Sequence, residues 1–256
     1  MWVWVSVTWF GTPIPKPENN QSSNLKINMN MKYNTILLAL LLVSAPGWAQ
    51  TVSTSSTNNT AASIPDGNPV GITEKINVSG VVGTVTNVQV QLDITGGFNG
   101  DLYAYLVDPV GQMVVLFNRP GVDGSNPFGY SDAGFNITLD GAATNDVHFY
   151  QNDTYSIAGG QLTGTWAADG RINDPQSAGS VFASTLPTAG LNLYNGLNGG
   201  GVNGTWTLFI ADLAGGGNPT LNSVVLTIMT VPEPQTWAVL GGGVMVWVVI
   251  RRRRVG

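Results

Sequence analysis

Val88-Gln89-Val90-Gln91-Leu92-Asp93-Ile94 alternates apolar and polar side chains without a break. Successive side chains of an extended chain point to opposite faces, so this stretch gathers its aliphatic groups on one side and its amides and carboxylate on the other. Such a segment is a strand half buried against a core. The same period returns in Phe135, Ile137, Leu139 and in Val224, Leu226, Ile228. Leu102 to Val107 and Met113 to Leu116 are apolar on both faces, which predicts strands covered on both sides. Between them lies turn chemistry. Asp108-Pro109-Val110-Gly111 places aspartate first, proline second and glycine fourth, as a type I turn requires, and Gly96-Gly97, Asn99-Gly100 and Gly215 to Gly217 supply further bends. No amphipathic helix is predicted in this region. Short strands joined by glycine-rich turns predict an all-β fold, an antiparallel β-sandwich over residues 64–230.

Outward from that core, the chain has no cysteine, so disulfides, thiolate nucleophiles and cysteine metal sites are excluded and the fold stands on packing. Residues 50–230 are enough for one domain with a sizeable core. Within them the basic residues are Lys75, Arg119 and Arg171, against thirteen acidic ones, a net charge of −10. The whole-chain value of −5 hides this because arginines are concentrated at the C-terminus. A surface so acidic repels phosphate backbones, which excludes nucleic acid as a partner.

Both ends carry address signals. Residues 35–43, Thr-Ile-Leu-Leu-Ala-Leu-Leu-Leu-Val, follow Met31 and Lys32 and precede Gly47-Trp48-Ala49, with small residues where signal peptidase needs them. Residues 31–49 therefore read as a secretory signal peptide cut between Ala49 and Gln50. Residues 1–30, tryptophan-rich and then proline- and asparagine-rich, have no place before such a leader; they read as an upstream extension, with Met29 or Met31 as the true start. Residues 50–63, largely Ser, Thr and Asn, read as a flexible lead-in.

At the other end, Val231-Pro232-Glu233-Pro234 is followed by an apolar run from Trp237 to Ile250 and by Arg251, Arg252, Arg253 and Arg254. The prolines keep the chain extended. The apolar run predicts a transmembrane helix. Each arginine costs about 2.5 to 3.5 kcal/mol at mid-bilayer, so four of them stop transfer and stay cytoplasmic. Fourteen apolar residues at about 1.5 Å each fall short of a hydrocarbon core of about 30 Å, which suits a transient stay in the inner membrane.

This tail, residues 231–256, resembles the PEP-CTERM sorting signal of Gram-negative bacteria, whose Pro-Glu-Pro triplet, apolar helix and basic terminus are all present in order. The resemblance implies that an exosortase, a membrane-embedded cysteine peptidase, processes the chain near Pro232 to Pro234. It further implies delivery to the cell surface or the extracellular matrix, in a host that makes exopolysaccharide. Ile64-Pro65-Asp66, Val88 to Ile94, Asn99-Gly100-Asp101-Leu102, Leu116-Phe117-Asn118-Arg119, and Asn203-Gly204-Thr205-Trp206-Thr207-Leu208 followed by Asp212 resemble successive signatures of the P domain, or P/Homo B module, of proprotein convertases. That resemblance implies a jelly roll related to galactose-binding folds, and a role beside a serine-type endopeptidase. The irregular segment between about Asp140 and Leu197 exceeds what the compact module needs and reads as loops.

Catalytic chemistry is sparse. The single histidine, His148, has no Gly-x-Ser-x-Gly elbow to serve and reads as a surface or loop residue, so no catalytic and no cofactor-binding residues are assigned. The aspartates sit beside glycine and proline, where they build turns. Asp66, Asp101 and Asp212 fall on the P-domain-like signatures and form a candidate calcium site, the ion favouring loop oxygens. Aromatic residues open a glycan-binding alternative: Tyr130, Tyr155 and Trp166 lie in loop-like sequence, whereas Trp206 alternates with threonines and reads as core. The sequence thus predicts a non-enzymatic structural or adhesive sandwich, with calcium or glycan binding and service to a protease as the alternatives.

Overall fold

The computed structural model describes residues 52–58 and 61–231. The upstream extension, the signal peptide, the cleavage site at Ala49 and Gln50, the apolar run and Arg251 to Arg254 lie outside the described residues. Among the described residues, eleven strands form two sheets: β1 (Val52–Asn58), β2 (Ala62–Ser63), β3 (Asn68–Val78), β4 (Thr84–Thr95), β5 (Leu102–Val107), β6 (Met113–Asn118), β7 (Gly134–Asp140), β8 (Ser156–Ala158), β9 (Gln161–Trp166), β10 (Gly204–Asp212) and β11 (Thr220–Val231). The larger sheet runs β1-β11-β4-β7-β9-β8 with β2 also on β11, and the smaller runs β3-β10-β5-β6.

With β1 and β2 counted as one strand and β8 and β9 set aside as an insertion, eight strands remain. One sheet then holds the first, eighth, third and sixth of them and the other the second, seventh, fourth and fifth. That interleaving is the double Greek key of a jelly roll, and its ladders are antiparallel. The exception lies in the insertion, where β9 runs parallel to β7.

Alternation places the core. Val88, Val90, Leu92 and Ile94 of β4, Phe135, Ile137 and Leu139 of β7, and Val224, Leu226 and Ile228 of β11 all face inward and are buried. They meet Ile76 and Val78 of β3, Leu102, Ala104 and Leu106 of β5, Val114 and Leu116 of β6, and Trp206, Leu208 and Ile210 of β10. Phe117 stacks on Phe135, centroids 4.9 Å apart. Trp206 is fully buried, as its alternation predicted; its Nε1 donates to Val202 O at 2.9 Å and its ring meets Tyr194 edge-on at 4.9 Å. β4 and β11 each slip register: Thr86 and Asn222 are the extra residues, and the inward sequence jumps from Val85 to Val88 and from Leu221 to Val224. β5 is covered on one face only, its Tyr103, Tyr105 and Val107 being half-exposed, so the expectation of two covered faces fails there. It holds for β6, buried from Val114 to Asn118.

The predicted lead-in is partly a strand. Val52–Asn58 pairs antiparallel with β11 from Val52↔Thr230 to Asn58↔Val224. A Ser/Thr tract carries no hydrophobic period, yet threonine suits an extended chain and β11 offers an edge to pair with. The irregular 140–197 segment is likewise more ordered than loops. It supplies β8, β9 and a short helix, Gly179–Ser184, and it closes the β6 edge: Gly170 N donates to Val115 O and Asp169 N to Leu116 O, both at 3.0 Å.

Candidate functional site

Turns at one corner of the sandwich bring the three sequence-selected aspartates into electrostatic contact. Asp101 closes the 3-10 turn Asn99–Asp101 that opens β5, and Asp212 ends β10, paired with Leu102 on one side and Asn68 on the other. Asp66 lies in the turn before β3, where its Oδ1 accepts from Gly216 N at 3.0 Å and Gly217 N at 3.3 Å. Leu213 N donates to Asp101 O at 2.9 Å, tying the end of β10 to the 3-10 turn.

Asp212 is 1% exposed; its Oδ1 accepts from Ala214 N at 3.2 Å, whereas its Oδ2 is buried without a hydrogen-bond partner. Burial pushes its carboxyl up to about 6, the charges of Asp101 and Asp66 adding to the effect against the N–H groups of Ala214 and Gly67. Burial also raises Asp101, with Arg119 opposing and Asp66 reinforcing. Arg119 has φ +51 and donates from Nε to Gly100 O at 3.1 Å, which sets its charge beside Asp101. Among the described residues, no three carboxylate or imidazole groups stand where they alone would hold a metal.

A second polar cluster was not legible in the sequence. His148 is fully buried rather than on the surface: Nδ1 lies 2.8 Å from Asp169 Oδ2 and Nε2 lies 3.0 Å from Val122 O. Both neighbours are acceptors, so both bonds form only when the ring carries two hydrogens. Asp169 Oδ2 also accepts from Asn118 N at 2.9 Å, and Arg171 Nη1 donates to Asp169 Oδ1 at 2.9 Å and Asp146 Oδ2 at 2.7 Å. Burial works against the Arg171 charge, and the carboxylates of Asp169 and Asp146 outweigh it. The imidazole thus has a carboxylate on one side, as in a catalytic triad, but a carbonyl where a nucleophile would stand. The network pins the insertion to the 119–132 loop and to β6.

The aromatic candidates divide. Trp166 is 3% exposed in β9, not in a loop, and donates from Nε1 to Thr163 O at 3.0 Å. Tyr130 packs edge-on against Tyr150 at 4.6 Å, and Tyr155, 42% exposed, meets the same ring at 5.7 Å. On the outer face of the smaller sheet Tyr105 and Phe209 stack at 4.8 Å with 17° between planes.

At the C-terminal end of β11, Thr230 is 2% exposed and its Oγ1 donates to Val82 O at 2.9 Å. Thr230 pairs with Val52 of β1 and with Val85 of β4, and Val231 pairs with Thr84. Val231 is thus still a rung of the sheet when the chain reaches Pro232.

Residues 230–254 match the family model of the PEP-CTERM protein-sorting motif. That motif marks an exported protein sorted through its C-terminus by an exosortase. No curated protein matches the chain. Among solved structures, the complex of the serine protease of Aeromonas sobria with its chaperone is similar at 16% identity and TM-score 0.40, covering 77% of this chain and 29% of that one. The structure of the A. sobria serine protease gives 15% identity and TM-score 0.39, covering 75% and 29%. The chain therefore spans under a third of the length of these structural neighbours.

Proposed function

We propose that the protein is a non-enzymatic component of the cell envelope or extracellular matrix, exported and then sorted by an exosortase, whose sandwich does structural or adhesive work. The observation that carries this reading is the junction at Thr230 and Val231: the sorting motif begins on the last strand of the core, so the jelly roll itself is what the sorting step delivers. The groups closest to catalytic chemistry, His148 and Asp169, are closed off from solvent and held in a structural network. Expression in an exosortase-positive host and in its exosortase deletion mutant tests the reading. A shorter, tail-less product at the surface or in the matrix of the first strain alone is expected; the same mass and location in both strains overturns it.

A second reading has its own observation, the orphaned Oδ2 of Asp212 in the acidic corner. Calcium takes six to eight oxygens; the orphaned Oδ2 of Asp212 would supply one, Asp66 and Asp101 would have to draw closer to supply others, and backbone carbonyls and water would complete the shell. Chelation is expected to lower the melting temperature of protein prepared with calcium, and an unchanged transition removes calcium from the account. The P/Homo B likeness belongs to the same set of proposals and is supported by the jelly-roll strand order and by the meeting of Asn99-Gly100-Asp101 with Asp212. Co-purification of a serine endopeptidase would favour an accessory role, and retention on exopolysaccharide an adhesive one.

A further inference from the structure

The acidic corner is flanked by apolar groups that the core does not use. Among the described residues the two exposed phenylalanines, Phe98 at 40% and Phe128 at 79%, both stand there, and Val70, 77% exposed, joins them. Phe98 precedes the Asn99–Asp101 turn, and a Cβ built on Gly216, whose N–H is bonded to Asp66, would touch its ring. The backbone of Phe128 packs on Gly100, next to Asp101, so closely that a side chain at 100 would collide with Phe128 O. Val70 N donates to Asn68 Oδ1 at 2.9 Å, and Asn68 pairs with Asp212. Large apolar side chains gathered at one polar site mark an interaction surface. The corner also lies at the pole opposite the sorting motif. Asp66 is held by Gly216 and Gly217 just before β11, which starts at Thr220 and runs 12 residues, about 35 Å, to Val231. The motif starts at that far end.

Resting on the calcium reading of this corner, we infer that the acidic corner, with Phe98, Phe128 and Val70, is a calcium-dependent docking surface for an anionic lipid bilayer. Without a cation, a domain so acidic is repelled by lipid phosphates. A calcium ion on the orphaned Oδ2 of Asp212 reverses the local sign. Asp212 is 1% exposed and Asp66 is open to solvent, so the ion has a protein side and a solvent side. The corner supplies few oxygens of its own, and headgroup phosphate oxygens fill the positions left on the solvent side. Entry of the phenyl and isopropyl groups into the interface adds apolar burial to that electrostatic attraction. A soluble phosphate offers nothing to bury them in, which singles out the bilayer.

The absence of cysteine lets one fluorophore report from a chosen place in the full chain. Phe128→Cys carries an environment-sensitive dye at the corner. Val82→Cys, at a residue 64% exposed whose carbonyl accepts from Thr230, carries it at the other pole. Chain reconstituted in phosphatidylcholine vesicles is mixed with separate, protein-free vesicles that contain phosphatidylglycerol. Calcium is expected to shift the emission at 128 to the blue and to leave that at 82 unchanged, with no shift in chelator or with acceptor vesicles of phosphatidylcholine alone. Phe98→Ala is expected to raise the acceptor lipid needed by about tenfold, and Asp212→Asn to abolish the response. No shift at 128 in protein whose melting temperature calcium raises overturns the bilayer surface. A melting temperature that calcium leaves unchanged overturns the calcium reading instead. A shift that soluble glycerol phosphate suppresses fully and Phe98→Ala leaves unaltered, or one that calcium alginate produces in place of vesicles, assigns the corner to another ligand and likewise overturns the bilayer.

Discussion

Asp212 carries the most informative ionisation in the molecule. Its folded-state carboxyl sits at about 6, above the ordinary value of 3.8, so the native state holds its proton more tightly than the unfolded chain does. The stability this confers is fully present below about pH 4 and is lost as pH rises through about 6. Asp212→Asn is expected to raise the melting temperature at pH 7 in chelator and to flatten the decline between pH 4 and 6, which thermal denaturation across that range measures. If calcium occupies the corner, the same substitution abolishes the calcium-dependent rise in melting temperature. The nearness of Asp66, Asp101 and Asp212 was legible only through motif resemblance, because the three are separated by most of the domain. His148 was misread for a related reason. Asp146-Val147-His148 and Asp169-Gly170-Arg171 each look like polar loop sequence, and only the folded insertion brings them together around a buried ring. His148→Ala leaves Asp169 buried without its imidazole partner, and about 3 kcal/mol of destabilisation is expected by chemical denaturation.

At the scale of elements, alternation spoke clearly where a strand is half buried and said nothing about what pairs with it. The inward positions of β4, β7 and β11 were readable because each faces a core on one side. β1 was not, because a Ser/Thr tract carries no hydrophobic period, and β9 was not, because a parallel partner leaves no mark on the sequence. Gly134 shows how tightly one junction is drawn. It opens β7 at φ +104 opposite Thr95, its N donates to Asn99 Oδ1 at 2.9 Å, and an added Cβ would collide with Ile94 O. Neither the backbone conformation nor the space admits a side chain. Gly134→Ala is expected to cost at least about 2 kcal/mol, read as a drop in the urea midpoint with little change in slope.

For the whole molecule, the core is contiguous and free of cross-links. Residues 50–231, without leader or tail, are expected to unfold in one cooperative transition whose midpoint is the same with and without reductant; two transitions in calorimetry would contradict a single domain. The fold class followed from composition, alternation and turns, whereas the purpose of the long 140–197 segment emerged only in three dimensions. That segment covers the flank of β7 with β9 and the flank of β6 with Asp169 and Gly170. Beyond β9 the larger sheet ends in β8, three residues long. Long, bare flanks are templates on which neighbouring molecules zip into fibrils. With two of its flanks stoppered by its own insertion, this sandwich offers a neighbouring copy fewer places to add a strand.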